Sequence, residues 1–212
     1  RQYPEIAKVH RVRMFRVTLD RAAEVNGVVW AWERLGIENA GRGIKIGIID
    51  SGIQITHPGF EANGMTAPAG YPQVSSEANR EFTNAKVIVA RSYPQHWARR
   101  DPDPTVRDRI GHGTAVAMAA AGTRHTPTTI AMVASITGMA PAAYLGVYKI
   151  FGSPGVNDGA TDAAILQALE DCVSDGMDVI NLSFGSILAG RPEDDILVRA
   201  LARVESAGVV AV

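Results

Sequence analysis

The chain has 212 residues, 46% apolar, 20% charged and 6% aromatic, enough to bury the core of one domain or of two small ones. Twenty-one basic residues against 22 acidic ones give a net charge of −1, so no basic bias points to nucleic acid and no acidic bias to a solvating tail. One cysteine, Cys172, excludes an internal disulfide framework and any multi-cysteine metal site, and no run approaches the roughly 18 consecutive apolar residues of a membrane helix.

No signal-peptide succession opens the chain, its first residue is Arg, and residues 208–212 form an apolar run at its end. The expectation is a piece of a longer protein. Residues 1–20 set apolar Val9, Val12 and Met14 or Phe15 against Arg11, Arg13 and Arg16, the period of a half-buried strand. Residues 21–36 read as one short amphipathic helix closed by Gly36. Residues 43–50 are apolar and largely β-branched, as in a strand buried on both faces of a parallel sheet. Residues 60–108, rich in Pro, Gly, Asn, Asp and Arg, read as a long surface excursion containing one strand near 85–91.

A small-residue helix is expected over 114–122, then a connection of undefined structure to about 137 and a strand over 144–151. Asp158 or Thr161 caps the next helix, which runs to about Ser174. Residues 178–184 read as a buried strand, 192–207 as a helix stopped by Gly208, and 209–212 as the start of another strand. Alternating strands and helices at this spacing mean βαβ units: an α/β fold, a largely parallel sheet with helices on both faces. In such sheets the site lies beyond the carboxyl ends of the strands.

Asp50 stands where the first buried strand meets a Ser-Gly turn. Three roles fit that position: a turn-forming aspartate capping its own loop, a phosphoacceptor, or a carboxylate that orients a catalytic histidine. A dehalogenase-type phosphoacceptor needs a second carboxylate two positions on, where Gly52 stands. His112 tips the balance. It sits in Gly111-His112-Gly113-Thr114, where flanking glycines leave the imidazole uncrowded and the start of a helix favours the neutral form that a general base requires.

Asp50-Ser51-Gly52, Gly111-His112-Gly113-Thr114 and residues 178–185 (Asp-Val-Ile-Asn-Leu-Ser-Phe-Gly) together resemble three successive motifs of the subtilisin-like serine peptidases, in their order. Gly138-Met139-Ala140-Pro141 is similar to that family's Gly-Val-Ala-Pro stretch, and the likeness covers roughly residues 37–212. The resemblance implies a serine endopeptidase in which Asp50 is the triad aspartate and His112 the general base. It implies that Leu182, Ser183, Phe184 and Gly185 form the edge along which an extended peptide substrate adds as a strand. It also makes residues 1–20 the end of an inhibitory propeptide, a partner of the enzyme's own, and residues 21–212 a partial catalytic domain of a secreted protein.

Two parts of the family's machinery do not occur in these residues. The Gly-Thr-Ser-Met-Ala motif that carries the nucleophile is missing, and the Asn of the oxyanion hole would follow the strand that begins near Val209. The expectation is therefore a catalytic domain truncated at its C-terminal side, inactive alone. Ala115 stands where the family often has a second His, a position outside the triad, and the Asp50–His112 interval is long for compact bacterial members. No cofactor is required for this chemistry. Many members bind structural calcium, and no dense Asp/Asn loop here identifies a metal site. His57 reads as a turn-shaping residue, His10, His96 and His125 as surface residues, and Cys172 as a small buried hydrophobe. The rival readings are a non-catalytic subtilase-like module that binds peptides along 182–185, and a phosphate- or nucleotide-binding domain, disfavoured because no glycine-rich phosphate loop follows a strand.

Overall fold

The computed structural model describes residues 19–129, 133, 135–186 and 191–212; the strand expected near the N-terminus lies outside them. Two helices come first, α1 (Leu19–Val25) and α2 (Val28–Leu35). A single helix expected there is broken at Gly27, whose left-handed backbone (φ +73°) sits between the two. Then follow β1 (Lys45–Asp50), β2 (Gln73–Val74), β3 (Val87–Ser92), α3 (His112–Ala121), β4 (Thr126–Pro127) and β5 (Ser135–Ile136). The chain continues through β6 (Tyr144–Lys149), α4 (Asp162–Ser174), β7 (Val179–Asn181), α5 (Ile196–Ser206) and β8 (Val210–Ala211).

Six strands form one sheet in the order β2-β3-β6-β1-β7-β8, every neighbouring pair parallel. Strands β4 and β5, in the connection that the sequence left undefined, form a separate antiparallel pair. The period of two divides the sheet into two faces. Ile46 and Ile48 of β1, with Leu145 and Val147 of β6, pack on Ala117, Met118 and Ala121 of α3. Ile49 and Tyr148 turn the other way, onto Ala164, Ile165, Ala168, Leu169 and the buried Cys172 of α4, with Val204 of α5 behind them. Helices therefore cover both faces, as expected. Asp50, two residues beyond Ile48, falls on the α3 face and pairs in register with Lys149.

Two boundaries differ from the sequence reading, and one choice left open there is decided. Helix α3 begins at His112, two residues early, so the histidine is itself in the first turn. Of the two candidate caps for α4, Thr161 is the one used: its hydroxyl accepts from the Ala164 N–H. Helix α5 starts at Ile196 under an Asp195 cap, because Pro192 opens a separate 3-10 turn (Pro192–Asp194).

The excursion between β1 and α3 is tied down by carboxylates. Asp101 accepts hydrogen bonds from the Ser153 hydroxyl and N–H, the Asn157 amide and the Asp103 N–H. Burial opposes its ionisation, but these bonds outweigh it and hold the carboxyl at about 2. Buried Asp175 takes a two-pronged pair from Arg91 (2.7 and 2.6 Å) and a hydrogen bond from Tyr148 Oη (2.9 Å). Replacing Asp175 with Ala strands a largely buried guanidinium and a buried phenol. The expected loss is about 3 kcal/mol of unfolding free energy, measured by urea titration; a loss below about 1 kcal/mol would show that Arg91 finds another partner.

Candidate active site

Asp50 ends β1 with its side chain only 1% exposed, while the His112 side chain is 52% exposed. His112 Nδ1 lies 2.9 Å from each carboxylate oxygen of Asp50, and Asp50 Oδ1 also accepts from the Ser51 N–H at 2.6 Å. An ionised carboxylate can only accept here, so Nδ1 carries a proton, and in the neutral imidazole Nε2 carries the lone pair. That is the tautomer of a general base whose working nitrogen is the one turned from the carboxylate.

The first turn of α3 brings His112 to Asp50, and the free N–H groups of Gly111, Gly113 and Thr114 there have side-chain partners. Gly111 at the N-cap is left-handed (φ +91°) and offers no side chain. Asp108 takes over that role. Its Oδ1 accepts from the Gly111 and Ile110 N–H groups and from the Ser51 hydroxyl, and its Oδ2 accepts from the Thr114 N–H and hydroxyl. The Gly113 N–H donates to Ser51 Oγ at 2.8 Å. Burial raises the Asp108 pKa, but the bonds from Thr114 and from the Gly111 and Ile110 N–H groups win, and the group is held below its usual range. Gly113 admits this packing: a Cβ there would lie 2.5 Å from the Gly52 carbonyl oxygen. Sequence reasoning missed Asp108, although an aspartate just before a helix whose N-cap is glycine was the available signal.

A second residue missed from sequence is Lys149. It is fully buried beside Asp50, and its Nζ donates to the carbonyls of Ser51 (2.7 Å) and Arg107 (2.9 Å). One ammonium thus joins the turn after Asp50 to the loop that carries Asp108. Burial pushes this amine down to about 8, against the opposing pull of Asp108, Asp101 and Asp103.

Leu182, Ser183, Phe184 and Gly185 continue beyond β7 at the same end of the sheet as Asp50, since Ile48 pairs in register with Asn181. The buried strand expected over 178–184 is shorter than that. It ends at Asn181, Leu182 and Phe184 are half-buried, and Ser183 and Gly185 are exposed. Leu182 N–H still bonds to the Val212 carbonyl, and Ser183 Oγ donates to Asn181 Oδ1.

The sequence matches the model of the subtilase family over residues 41–211. The chain belongs to the subtilase family. Among its relatives, Subtilisin-like protease SBT2.1 of Arabidopsis thaliana is 34% identical over 169 residues, 72% of this chain and 20% of that protein. Subtilisin-like protease SBT4.9 of the same plant is 29% identical over an alignment covering 98% of this chain and 32% of that protein. The chain spans between 18% and 32% of the length of such curated relatives. The solved structure of the prenylagaramide maturation protease PagA matches with a TM-score of 0.54 and 18% identity, over 87% of this chain and 49% of that one. That likeness is one of fold.

The other singled-out residues of this subtilase chain have structural surroundings. His57 Nδ1 accepts from the Gly59 N–H and the ring packs 5.7 Å from Phe60. His96 is half-buried, His125 is exposed, and His10 lies outside the described residues. No group of three His, Cys, Asp or Glu side chains among the described residues is arranged to hold a metal ion.

Lys149 makes stability depend on alkaline pH. Its folded pKa lies below its unfolded value of 10.5, so between about pH 8 and 10.5 the unfolded chain holds a proton that the folded chain has shed, and stability rises with pH. Urea titrations across that window should show a rise in the unaltered chain of about 1–3 kcal/mol more than in Lys149→Met. Equal slopes would mean that water reaches Nζ in the folded protein.

Proposed function

We propose that these residues supply the aspartate–histidine half of a serine endopeptidase, with the nucleophilic serine and the oxyanion asparagine carried by chain outside the 212 residues. The observation that carries the reading is the buried Asp50 carboxylate holding Nδ1 of a half-exposed imidazole at 2.9 Å. In the reaction, His112 Nε2 takes the proton of the serine hydroxyl as its oxygen attacks the scissile carbonyl. Asp50 keeps the ring in place and stabilises the imidazolium. His112 then returns the proton to the leaving amine, and in the second half it activates the water that releases the acyl group.

Neither serine near the two motifs is fitted to be the nucleophile. Ser51 donates to Asp108 and accepts from Gly113, and Ser183 donates to Asn181. The substrate in this reading is an extended peptide or protein segment laid along Leu182 to Gly185. Residues 1–20 act as the end of an inhibitory propeptide, residues 21–212 form part of the catalytic domain, and the parent protein is secreted. These points rest on the family resemblance.

A serine-directed fluorophosphonate tests the proposal on two proteins, the 212-residue chain and the full-length gene product. The full-length product should be labelled and should cleave peptides. Its His112→Ala variant should lose activity on the order of 10⁶-fold, the loss found in subtilisin itself, and the 212-residue chain should stay unlabelled. Labelling of the shorter chain at one of its own serines would overturn the reading. So would an undiminished rate in His112→Ala.

A further inference from the structure

Helix α5 carries its charge unevenly. Arg199 and Arg203 lie toward α4 beside Glu170, whereas Leu197, Leu201 and Glu205 line a cavity of about 880 Å³ on the other side, within the size range of ligand sites. The cavity opens beyond the carboxyl ends of β6 and β7. Its floor is apolar: Ile165 and Leu169 from α4, Leu197 and Leu201 from α5, and Phe184, whose ring stands edge-on to Phe151 at 5.8 Å. Its polar lining is acidic, with Asp158, Asp162, Asp195 and Glu205, and no Lys, Arg or His among the described residues that line it.

These carboxylates exceed what the helix ends require. Thr161 already caps α4, so Asp158 and Asp162 are additional. Asp158 uses Oδ1 for the Gly155 N–H and Asp195 uses Oδ1 for the Leu197 N–H. Both bonds occupy a single oxygen of the carboxylate.

We propose that this cavity selects a lysine or arginine side chain of an extended peptide, with the aliphatic stem on the floor and the cation at the acidic rim. The inference rests on the reading of Leu182 to Gly185 as the peptide edge, because Phe184 and Gly185 belong to both. Long basic side chains bury their methylenes while keeping the charged head in water, and floor and rim offer the two halves of that arrangement. A neutral side chain of the same length uses the floor alone. A glutamate meets like charge at that rim.

The test is fluorescence anisotropy of labelled eight-residue peptides binding to the 212-residue chain, with Lys, norleucine and Glu placed in turn at each position. At one position Lys should bind about five- to tenfold more tightly than norleucine, and Glu more weakly than both. That preference should shrink to about twofold or less in Asp158→Asn/Asp162→Asn and in about 1 M salt. It should persist in Asp194→Asn, which lies outside the cavity. Binding with norleucine equal to or better than Lys at every position would overturn the inference and leave the peptide edge standing. No binding of any peptide to the folded chain would overturn both.

Discussion

Everything at the candidate site depends on one carboxylate accepting five hydrogen bonds. Asp108 receives the Ser51 hydroxyl, the N–H groups of Ile110, Gly111 and Thr114, and the Thr114 hydroxyl. Those donors belong to the turn after β1, the loop before α3 and the first turn of α3. A single anion therefore fixes the angle at which the helix meets the strand end, and with it the separation of His112 from Asp50. Hydrogen bonds to a charged acceptor are stronger than neutral ones, and the group is ionised well below neutral pH because the donors outweigh its burial. Lys149 closes the same assembly from beneath by bonding the Ser51 and Arg107 carbonyls.

The sheet makes this arrangement accessible. A strand buried on both faces reads as an unbroken apolar run, and its period of two decides which face each residue serves. Ile46 and Ile48 anchor α3, so the next residue of that parity, Asp50, emerges under the helix start rather than under α4. Glycine matters at one contact above all. With any side chain at position 113, the helix would meet the Gly52 carbonyl and stand away from the strand.

The parts that could be read from the sequence are those that depend on local pattern. The apolar run before Asp50, the two glycines around His112 and the small residues of α3 each constrain the neighbourhood of a few positions. The break between α1 and α2 at Gly27 was missed because the apolar pattern continues across it, and only the left-handed backbone interrupts the helix. The strand after Asp178 was overextended, since its apolar residues run past the point where pairing stops at Asn181. Asp108 was legible at most as a carboxylate placed to cap a helix, and Lys149 was not legible as a site residue. One lies in a Pro- and Arg-rich loop and the other in an ordinary-looking strand, and the partners that give them roles are distant in sequence. A buried ammonium is recognised by the carbonyls that close around it, which is long-range information.

The central claim is that Asp108, through the first turn of α3, sets the His112 imidazole on Asp50. Nitrogen-15 NMR of the histidine-labelled chain above the imidazole titration measures it directly. His112 should show the Nδ1–H tautomer in the unaltered chain and a shift toward the Nε2–H form in folded Asp108→Ala, with His57 unchanged. An identical His112 tautomer in both proteins would contradict the account and leave Asp108 a residue of helix stability alone.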